Sequence, residues 1–405
     1  MYVLVARFLA GAQHRHFTRD LIALFTHHII MRLAITLTGV FGAVFVFQLF
    51  GNSLLAVVVV YGAIQLITFI LTPLSSMLLK HWGIRTMILV AVPILAFTLL
   101  ALYPVAAWGT YTFAGIFFFV IGWSVYKALY WVPYNVDFSV LLDKSTRGRQ
   151  VATLGNISDF FIAAMPFVAG LIVVMLGFPF LFVAAALMIG VAVIPILHIQ
   201  NTYESFSWGY VGTLRRLFSQ KNRTILLAYV GDGVQLVTFN VIWPLFIFLL
   251  LGEKYLSLGI VAALTLFMVL FVRTTTGTLF DRWDKRRLLL WSAIISSSGW
   301  MFKLFVGTPF QIVAADTYHG IGRVANRTSI DALAYEQAAD NGRYIDEYTA
   351  LKEMALSIGR AIGLCLAGVV VFIVGDIYAA LFVALVVAAV ATLATSFLSY
   401  RTELW

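Results

Sequence analysis

Apolar residues run through most of this chain in long stretches, separated by short breaks of glycine, proline and charged residues. Nearly every stretch reaches the about 20 residues that cross the hydrocarbon core of a bilayer as a helix. The breaks predict twelve spans, at 27–50, 53–79, 86–106, 110–138, 150–176, 179–199, 225–251, 256–280, 288–307, 310–336, 348–374 and 377–400. The pattern therefore predicts an all-α polytopic membrane protein with twelve transmembrane helices.

The composition and the charge distribution agree with this class. Of the 405 residues, 62% are hydrophobic and only 11% are charged, and the mean hydropathy is +0.96. The net charge of +9 comes from basic residues in the short loops on one side, namely Lys80 and Arg85, Lys144 to Arg149, Arg215 to Arg223, Arg282 to Arg287, and Arg343. The loops on the other side are nearly uncharged, so we expect the basic loops and both termini in the cytoplasm, as in a cell (inner or plasma) membrane. This distribution argues against nucleic acid as a partner.

The N-terminal residues and the single cysteine exclude two further features. Met1–Ala12 is apolar but too short to cross a bilayer, and basic residues follow it. A signal peptide has the reverse order, so a helix at the cytoplasmic interface is expected. Cys365 alone allows no internal disulfide and no cysteine metal site, and no other metal or cofactor site is expected.

The two halves of the chain resemble each other at a nearly constant offset. Residues 45–51 correspond to 246–252, and 80–85 correspond to 281–286, both at an offset of 201. Asp137 and residues 147–149 correspond to Asp331 and residues 341–343 at an offset of 194. Gly170 and Gly177 correspond to Gly368 and Gly375 at an offset of 198. Four matches in order predict a duplicated six-helix unit, with bundles at 1–199 and 225–405 and a cytoplasmic linker at 200–224.

With these features the chain resembles the major facilitator superfamily. The family motif in the turns after spans two and eight is Gly-x-x-x-Asp-Arg/Lys-x-Gly-Arg/Lys-Arg/Lys. After span eight the chain has Gly277, Asp281, Arg282, Lys285 and Arg286 in this pattern, with Asp284 in place of the second glycine. In the first half only Gly83 and Arg85 remain, and Lys80 replaces the acidic residue.

The resemblance implies two pseudo-symmetric bundles that work by alternating access, with a gate at these turns. Asp137 and Asp331 lie near the same ends of spans four and ten, and we expect them to be structural or gating partners of the arginines. A substrate or proton role for both is the alternative. A monomer without catalytic residues is expected, so the protein is not predicted to be an enzyme.

Charged residues inside the spans recur in every third helix. Span one has Arg32, span four has Lys127, span seven has Asp232, and span ten has a stripe of five titratable residues. In the family fold these four helices line the central cavity. The charge pattern supports the same assignment without the motif, because ionised groups facing lipid cost roughly 2.5–3.5 kcal/mol each.

Span ten carries the densest set. At 100° per residue, its charged and histidine side chains fall within an arc of about 120°; they are Asp316, His319, Arg323, Arg327 and Asp331. One hypothesis is that Arg323 binds an anionic group, helped by Lys127, with Asp316 and His319 also in contact with substrate. The alternative is a closed network that pairs Asp316 with Arg323 and Arg327 with Asp331.

The other three helices supply further candidates. Span four presents Lys127, Tyr130 and Asp137 on one face, and span one presents Arg32. Span seven offers Asp232, Gln235 and Asn240, with glycines on both sides of the acid. A carboxylate in a poorly solvated site is a proton-coupling candidate, and an ion pair of Asp232 with a basic group such as Arg32 is the alternative.

These observations predict a secondary transporter of a small organic solute with an anionic or zwitterionic part, with protons as one option for the coupling ion. Aromatic residues on the inner helices are also compatible with a proton-antiport exporter of amphiphilic drugs or lipids; they include Trp123, Tyr126, Trp131 and Trp243. A membrane sensor or assembly protein that keeps the fold without transport is the alternative of another class.

Overall fold

The structure is a computed structural model that describes residues 19–141, 147–203, 206–280, 284–339 and 345–399. Within these ranges the side chains at 138–141, 147–157, 273–280, 285, 331–339, 345–346 and 399 are not described. Met1–Ala12 therefore lies outside the described residues. The described residues form helices that are joined by short turns and one linker, with no strand among them.

Helices occupy all twelve predicted stretches. Spans one to six are Arg19–Leu49, Leu54–Trp82, Ile84–Leu100, Thr112–Leu141, Arg147–Leu176 and Phe178–Ile196. Span seven consists of Arg223–Val237, a π-turn at Thr238–Ile242, and Trp243–Leu250. Spans eight to twelve are Tyr255–Phe280, Lys285–Phe302, Pro309–Ala339, Ile345–Val374 and Ile377–Ala394. Short helices at Tyr103–Trp108 and Tyr210–Leu217 and 3₁₀ turns at Gln220–Asn222, Lys303–Phe305 and Thr395–Ser399 complete the described elements.

Proline explains two departures from a regular helix. Span three ends at Leu100, earlier than predicted, and Pro104 lies in the first turn of the separate helix that follows. In span seven Pro244 has no N–H to donate to the carbonyl of Asn240, and its ring would clash there. The chain widens into the π-turn directly before Trp243, which is a common way to accommodate such a break.

Eleven of the described helices are long and apolar enough to cross a membrane by composition alone. Span ten is not one of them, because its 31 residues carry the charge stripe. It packs against spans nine and eight, so neighbouring helices take up its polar face. The chain is a multi-pass membrane protein, and the predicted all-α class with twelve membrane helices is confirmed.

The spans pack as two bundles of six that meet along two seams. Spans one to six pack among themselves, as do spans seven to twelve, and the two seams, which are the most extensive contacts between the bundles, join span five to span eight and span two to span eleven. Exchanging the halves converts one seam into the other, as pseudo-symmetry requires. In the first seam Gly170 and Gly259 bring the backbones together, since a Cβ on Gly259 would lie 2.5 Å from the carbonyl oxygen of Pro166.

The backbone repeats the duplicated sequence. Gly51 and Asn52 end span one with φ of 64° and 62°, and Gly252 and Glu253 end span seven with 68° and 61°. Gly177 and Gly375 also share positive φ, at 87° and 73°. The left-handed region is costly for residues with a Cβ, so equal turns at equivalent positions support a common six-helix unit.

The two ends of the molecule differ. We call the end that carries the linker at 197–222 the linker face and the opposite end the far face. Near the far face one apolar cluster contains Phe45, Phe246 and Phe248 from both bundles, and Tyr255 donates a hydrogen bond to Gln48 across the boundary at 2.5 Å. Toward the linker face two smaller clusters occur among the described residues, one around Phe25 and Ile162 in the first bundle and one around Tyr229 and Met354 in the second. Among the described residues, the apolar core that both bundles share therefore includes residues near the far face.

Candidate functional site

A cavity of about 650 Å³ lies between the two bundles. Residues from ten spans line it, and the polar members are Arg32, Thr36, Thr38, Gln65, Lys127, Asn135, Asn240, Thr265, Asp316, Arg327, Glu353 and Arg360. Aromatic residues form much of the remaining wall, among them Tyr61, Trp123, Tyr126, Trp131, Phe239 and Trp243. The volume suits a small organic molecule, and an apolar wall with a few placed polar groups is typical of a ligand site.

The predicted substrate residues divide between this lining and the layer behind it. Four of them line the cavity: Arg32, Lys127, Asn240 and Asp316. The other four lie behind the lining: Tyr130, Gln235, His319 and Arg323. Asn240 lies within the π-turn of span seven and is exposed to the cavity.

Arg32 of span one forms an ion pair with span five. Its Nη1 lies 2.9 Å from Oδ1 of Asp159 and donates to Oγ of Ser158 at 3.2 Å. Asp159 was not singled out from the sequence, although it is an acid within an apolar span. Both partners belong to the first bundle, so this pair neutralises one wall of the cavity.

Lys127 of span four lies near the middle of the cavity wall. Its Nζ donates to Oε1 of Gln65 on span two at 2.7 Å. Gln65 is neutral, and the described residues form no ion pair with Lys127. The positive charge of Lys127 is therefore available to the cavity.

Asp316 of span ten pairs with a lysine that the closed-network alternative did not include. Nζ of Lys303, which is fully buried, lies 2.7 Å from Oδ1 of Asp316. Oδ2 of Asp316 accepts hydrogen bonds from Trp243 at 3.1 Å and from Thr265 at 3.4 Å. The lysine also lies 4.3 Å from the ring centroid of Trp300 and 4.5 Å from that of Trp243. The Asp316 carboxylate therefore has a cation beside one oxygen and two neutral donors on the other.

Asp232 of span seven is also paired, but with Arg327 and not with Arg32. Nη1 of Arg327 lies 3.1 Å from Oδ2 of Asp232, and Nε2 of Gln235 donates to Oδ1 at 2.8 Å. Oε1 of Gln235 accepts from Thr392 of span twelve at 3.2 Å. The pair joins spans seven, ten and twelve within the second bundle.

The glycines beside Asp232 serve close helix packing. A Cβ on Gly233 would lie 2.3 Å from the carbonyl oxygen of Leu356 on span eleven. A Cβ on Gly231 would lie 2.4 Å from that of Ala391 on span twelve. Any larger residue would push these helices apart, which explains why glycine is needed on both sides of the acid.

Span eleven contributes two charged residues that were missed from the sequence. Glu353 and Arg360 are seven positions apart and therefore share a face, and both line the cavity. Glu353 forms no hydrogen bond or ion pair within the described part of the chain, and Nη1 of Arg360 is buried without a hydrogen-bond partner there. The helical-face argument applied to span ten would have found them, because this spacing places two charges on one side of an apolar helix.

Behind the lining, Arg323 and His319 contact aromatic rings. Cζ of Arg323 lies 3.8 Å from the ring centroid of Phe239, whose side chain forms part of the cavity wall. His319 is fully buried, with its ring centroid 4.5 Å from that of Trp300. Its backbone approaches Gly299 closely, which holds span ten against span nine.

Tyr130 lies inside the first bundle. Nδ1 of His27 is 2.7 Å from the carbonyl oxygen of Ala192, so this nitrogen donates. Nε2 of His27 then accepts from Oη of Tyr130 at 3.2 Å, and Nδ1 of His28 lies 3.4 Å from the same oxygen. These bonds tie spans one, four and six together behind the cavity wall.

The predicted gate residues lie at the linker face. Gly83 has φ of 73° and ends span two, where Nδ2 of Asn201 donates to the carbonyl oxygen of Trp82 at 3.1 Å. Asp137 is buried and accepts from Thr202 at 3.5 Å. Asp284, the departure from the motif, caps span nine by accepting from the backbone N–H of Arg287 at 3.3 Å.

Some of the remaining predicted gate residues lie outside the described residues. Arg286 is exposed, Arg85 is half-buried, and Gly277 lies in the last turn of span eight. Asp281 and Arg282 lie outside the described residues, as does the side chain of Asp331. A gate at this face stays a prediction.

Comparison with known proteins identifies the fold. No family model and no curated protein matches the sequence. Among solved structures, the chain is similar to a single-residue variant of the E. coli fucose:proton symporter FucP, with a TM-score of 0.65 and 15% sequence identity. The match covers 95% of this chain and 98% of the symporter. The symporter is a member of the major facilitator superfamily, so this chain has that superfamily's fold and the predicted resemblance is confirmed at the level of fold.

Proposed function

We propose that this chain is a secondary transporter that moves a small organic anion or zwitterion by alternating access. The observation that carries the proposal is the charge of the cavity. Three cationic side chains near the cavity have an acidic partner within 3.1 Å, namely Arg32, Arg327 and Lys303. The lining charges left over are Lys127, Glu353 and Arg360, with an excess of one positive charge.

This excess favours an anionic group over a cation. Arg360 and Lys127 line the same cavity from opposite bundles, so both charges favour an anion bound there. The planar guanidinium of Arg360 suits a carboxylate or phosphate. Glu353 on the same face could hold the ammonium group of a zwitterion.

The bundle contacts support alternating access. Aromatic residues from both bundles meet near the far face, which favours an access state that is closed at that face. The basic loops support a cytoplasmic linker face with both termini on that side. We propose that the protein works as a monomer in the cell membrane, with the lipid bilayer as its surroundings, and that it has no catalytic role.

Ligand binding and uptake test the function. Detergent-purified protein is screened by thermal shift against acetate, lactate, benzoate, succinate, glycerol phosphate and glutamate, because ligands of the folded state raise apparent stability. Uptake of any stabilising compound into proteoliposomes follows. Arg360→Gln and Lys127→Gln should each weaken binding about 10–100-fold, since a hydrogen bond to a charged group contributes about 1.5–3 kcal/mol.

Arg215→Gln is the matched control, because Arg215 is an exposed arginine on the linker helix. It should leave binding unchanged. Stabilisation by tetraphenylphosphonium instead of the anions would favour the exporter of amphiphilic drugs. Binding without uptake in either direction would favour a sensor, and no binding of any compound would contradict the proposal.

A further inference from the structure

One acidic side chain in the cavity differs from all the others. Asp159, Asp232 and Asp316 each have a cation within 3.1 Å, and Asp232 and Asp316 also accept hydrogen bonds from neutral donors. Protonating any of them would break its ion pair, and at Asp316 it would leave the fully buried Lys303 without its partner, which is strongly unfavourable. Glu353 has no such partner within the described part of the chain and is half-buried against the cavity.

The charges that face Glu353 come from both bundles. The elements packed against span eleven present Lys127 from span four, Asp232 from span seven, Arg327 from span ten, the neutral Gln65 and Tyr61 from span two, and Arg215 and Arg216 from the linker helix. Arg360 follows Glu353 on its own helix. Asp232 and Arg327 neutralise each other, and both linker arginines are exposed. Glu353 is therefore the remaining counter-charge for Lys127 and Arg360.

We propose that Glu353 is the proton-binding residue of this transporter and that a proton and a monoanion bind together. This inference rests on the proposed function. The ionised carboxylate competes with a substrate anion for Lys127 and Arg360. When Glu353 takes up a proton, both cations become available and the anion replaces the lost negative charge.

The charge balance favours one proton for each monoanion. The empty site carries Lys127, Arg360 and the Glu353 carboxylate, with a net charge of +1. The loaded site carries both cations, neutral Glu353 and the anion, again with +1. Empty and loaded forms thus present the same charge when the bundles change access, and each proton that enters the site accompanies one anion.

The linkage predicts a measurable proton uptake. Binding of a monoanion to weakly buffered detergent-purified protein should take up about one proton per site where Glu353 is ionised in the empty state. Because binding and protonation are reciprocal, the affinity should fall about tenfold for each unit of rising pH in that range. The probes are acetate, lactate and benzoate, and a pH-sensitive dye reports the uptake.

Variants identify the group that is protonated. Glu353→Gln should bind the anion with no proton uptake and with an affinity independent of pH, while Glu353→Asp keeps a carboxylate and should retain uptake. Glu253→Gln, in an exposed turn at the far face, is the matched control and should behave as the parent protein. Thermal unfolding in detergent checks that each variant is folded.

The outcomes separate this inference from the proposed function. If the parent protein binds none of the three monoanions, the inference fails, and the proposed function fails with it only if no other compound of the screen binds. Anion binding without proton uptake in the parent protein would overturn the inference alone. So would uptake that persists in Glu353→Gln, and uptake lost in Asp232→Asn but kept in Glu353→Gln would assign the proton to Asp232.

Discussion

Individual charged residues in this protein are distinguished by their partners more than by their depth. Lys303 is fully buried yet lies 2.7 Å from Asp316, whereas Lys127 is half-buried and bonded only to a neutral glutamine among the described residues. A buried ion pair adds little net stability, but removing one partner leaves an uncompensated charge. The same residue type therefore has a structural role at one position and is available to a ligand at the other.

The Lys303–Asp316 pair allows a test at the residue scale. Lys303→Met should lower the free energy of unfolding by about 3–5 kcal/mol, because the Asp316 carboxylate stays buried without its cation. Adding Asp316→Asn should recover part of this loss. Denaturant unfolding in detergent measures the free energy of unfolding of the two single variants and the double variant. If the losses of Lys303→Met and Asp316→Asn simply add in the double variant, the pairing is contradicted.

At the scale of elements, glycine determines how closely helices of the second bundle approach. Span seven meets span eleven at Gly233 and Gly359, where a Cβ would lie 2.3 Å and 2.0 Å from backbone oxygens. The same contact brings Asp232 and the cavity face of span eleven together. Helix separation and cavity geometry are therefore coupled.

Gly233→Ala should lower the free energy of unfolding by about 1–3 kcal/mol, since a methyl group inserted into a packed contact forces the helices apart. Gly190→Ala in span six is the control, because nothing lies within 4 Å of the Cβ it would add. That variant should be neutral or slightly stabilising, given the helix propensity of alanine. If both variants lose the same free energy of unfolding, close packing at Gly233 is excluded as the cause of its loss.

At the scale of the whole molecule, the two bundles share one apolar cluster near the far face. Gln48 and Tyr255 join spans one and eight across the boundary. Opening of the far face must break this contact and separate the aromatic cluster around it. The hydrogen bond therefore marks a point that moves in alternating access.

A short bis-maleimide should cross-link Gln48→Cys to Tyr255→Cys in a Cys365→Ser background and stop uptake. Each single cysteine variant treated with the same reagent should keep its activity. Uptake that continues after complete cross-linking would show that the far face need not open. Mass spectrometry of the cross-linked peptides measures completeness.

The sequence by itself determined the membrane class, the twelve spans, the repeat and the placement of polar residues on spans one, four, seven and ten. These follow from local hydropathy, because each span must satisfy the bilayer along its own length. Only the tertiary structure decided the partners. Asp316 meets Lys303 of span nine, Asp232 meets Arg327, and Glu353 with Arg360 completes the cavity from span eleven. Ion pairing depends on how each helix is rotated and on which helices pack beside it. The residue pattern of a single helix specifies neither of these.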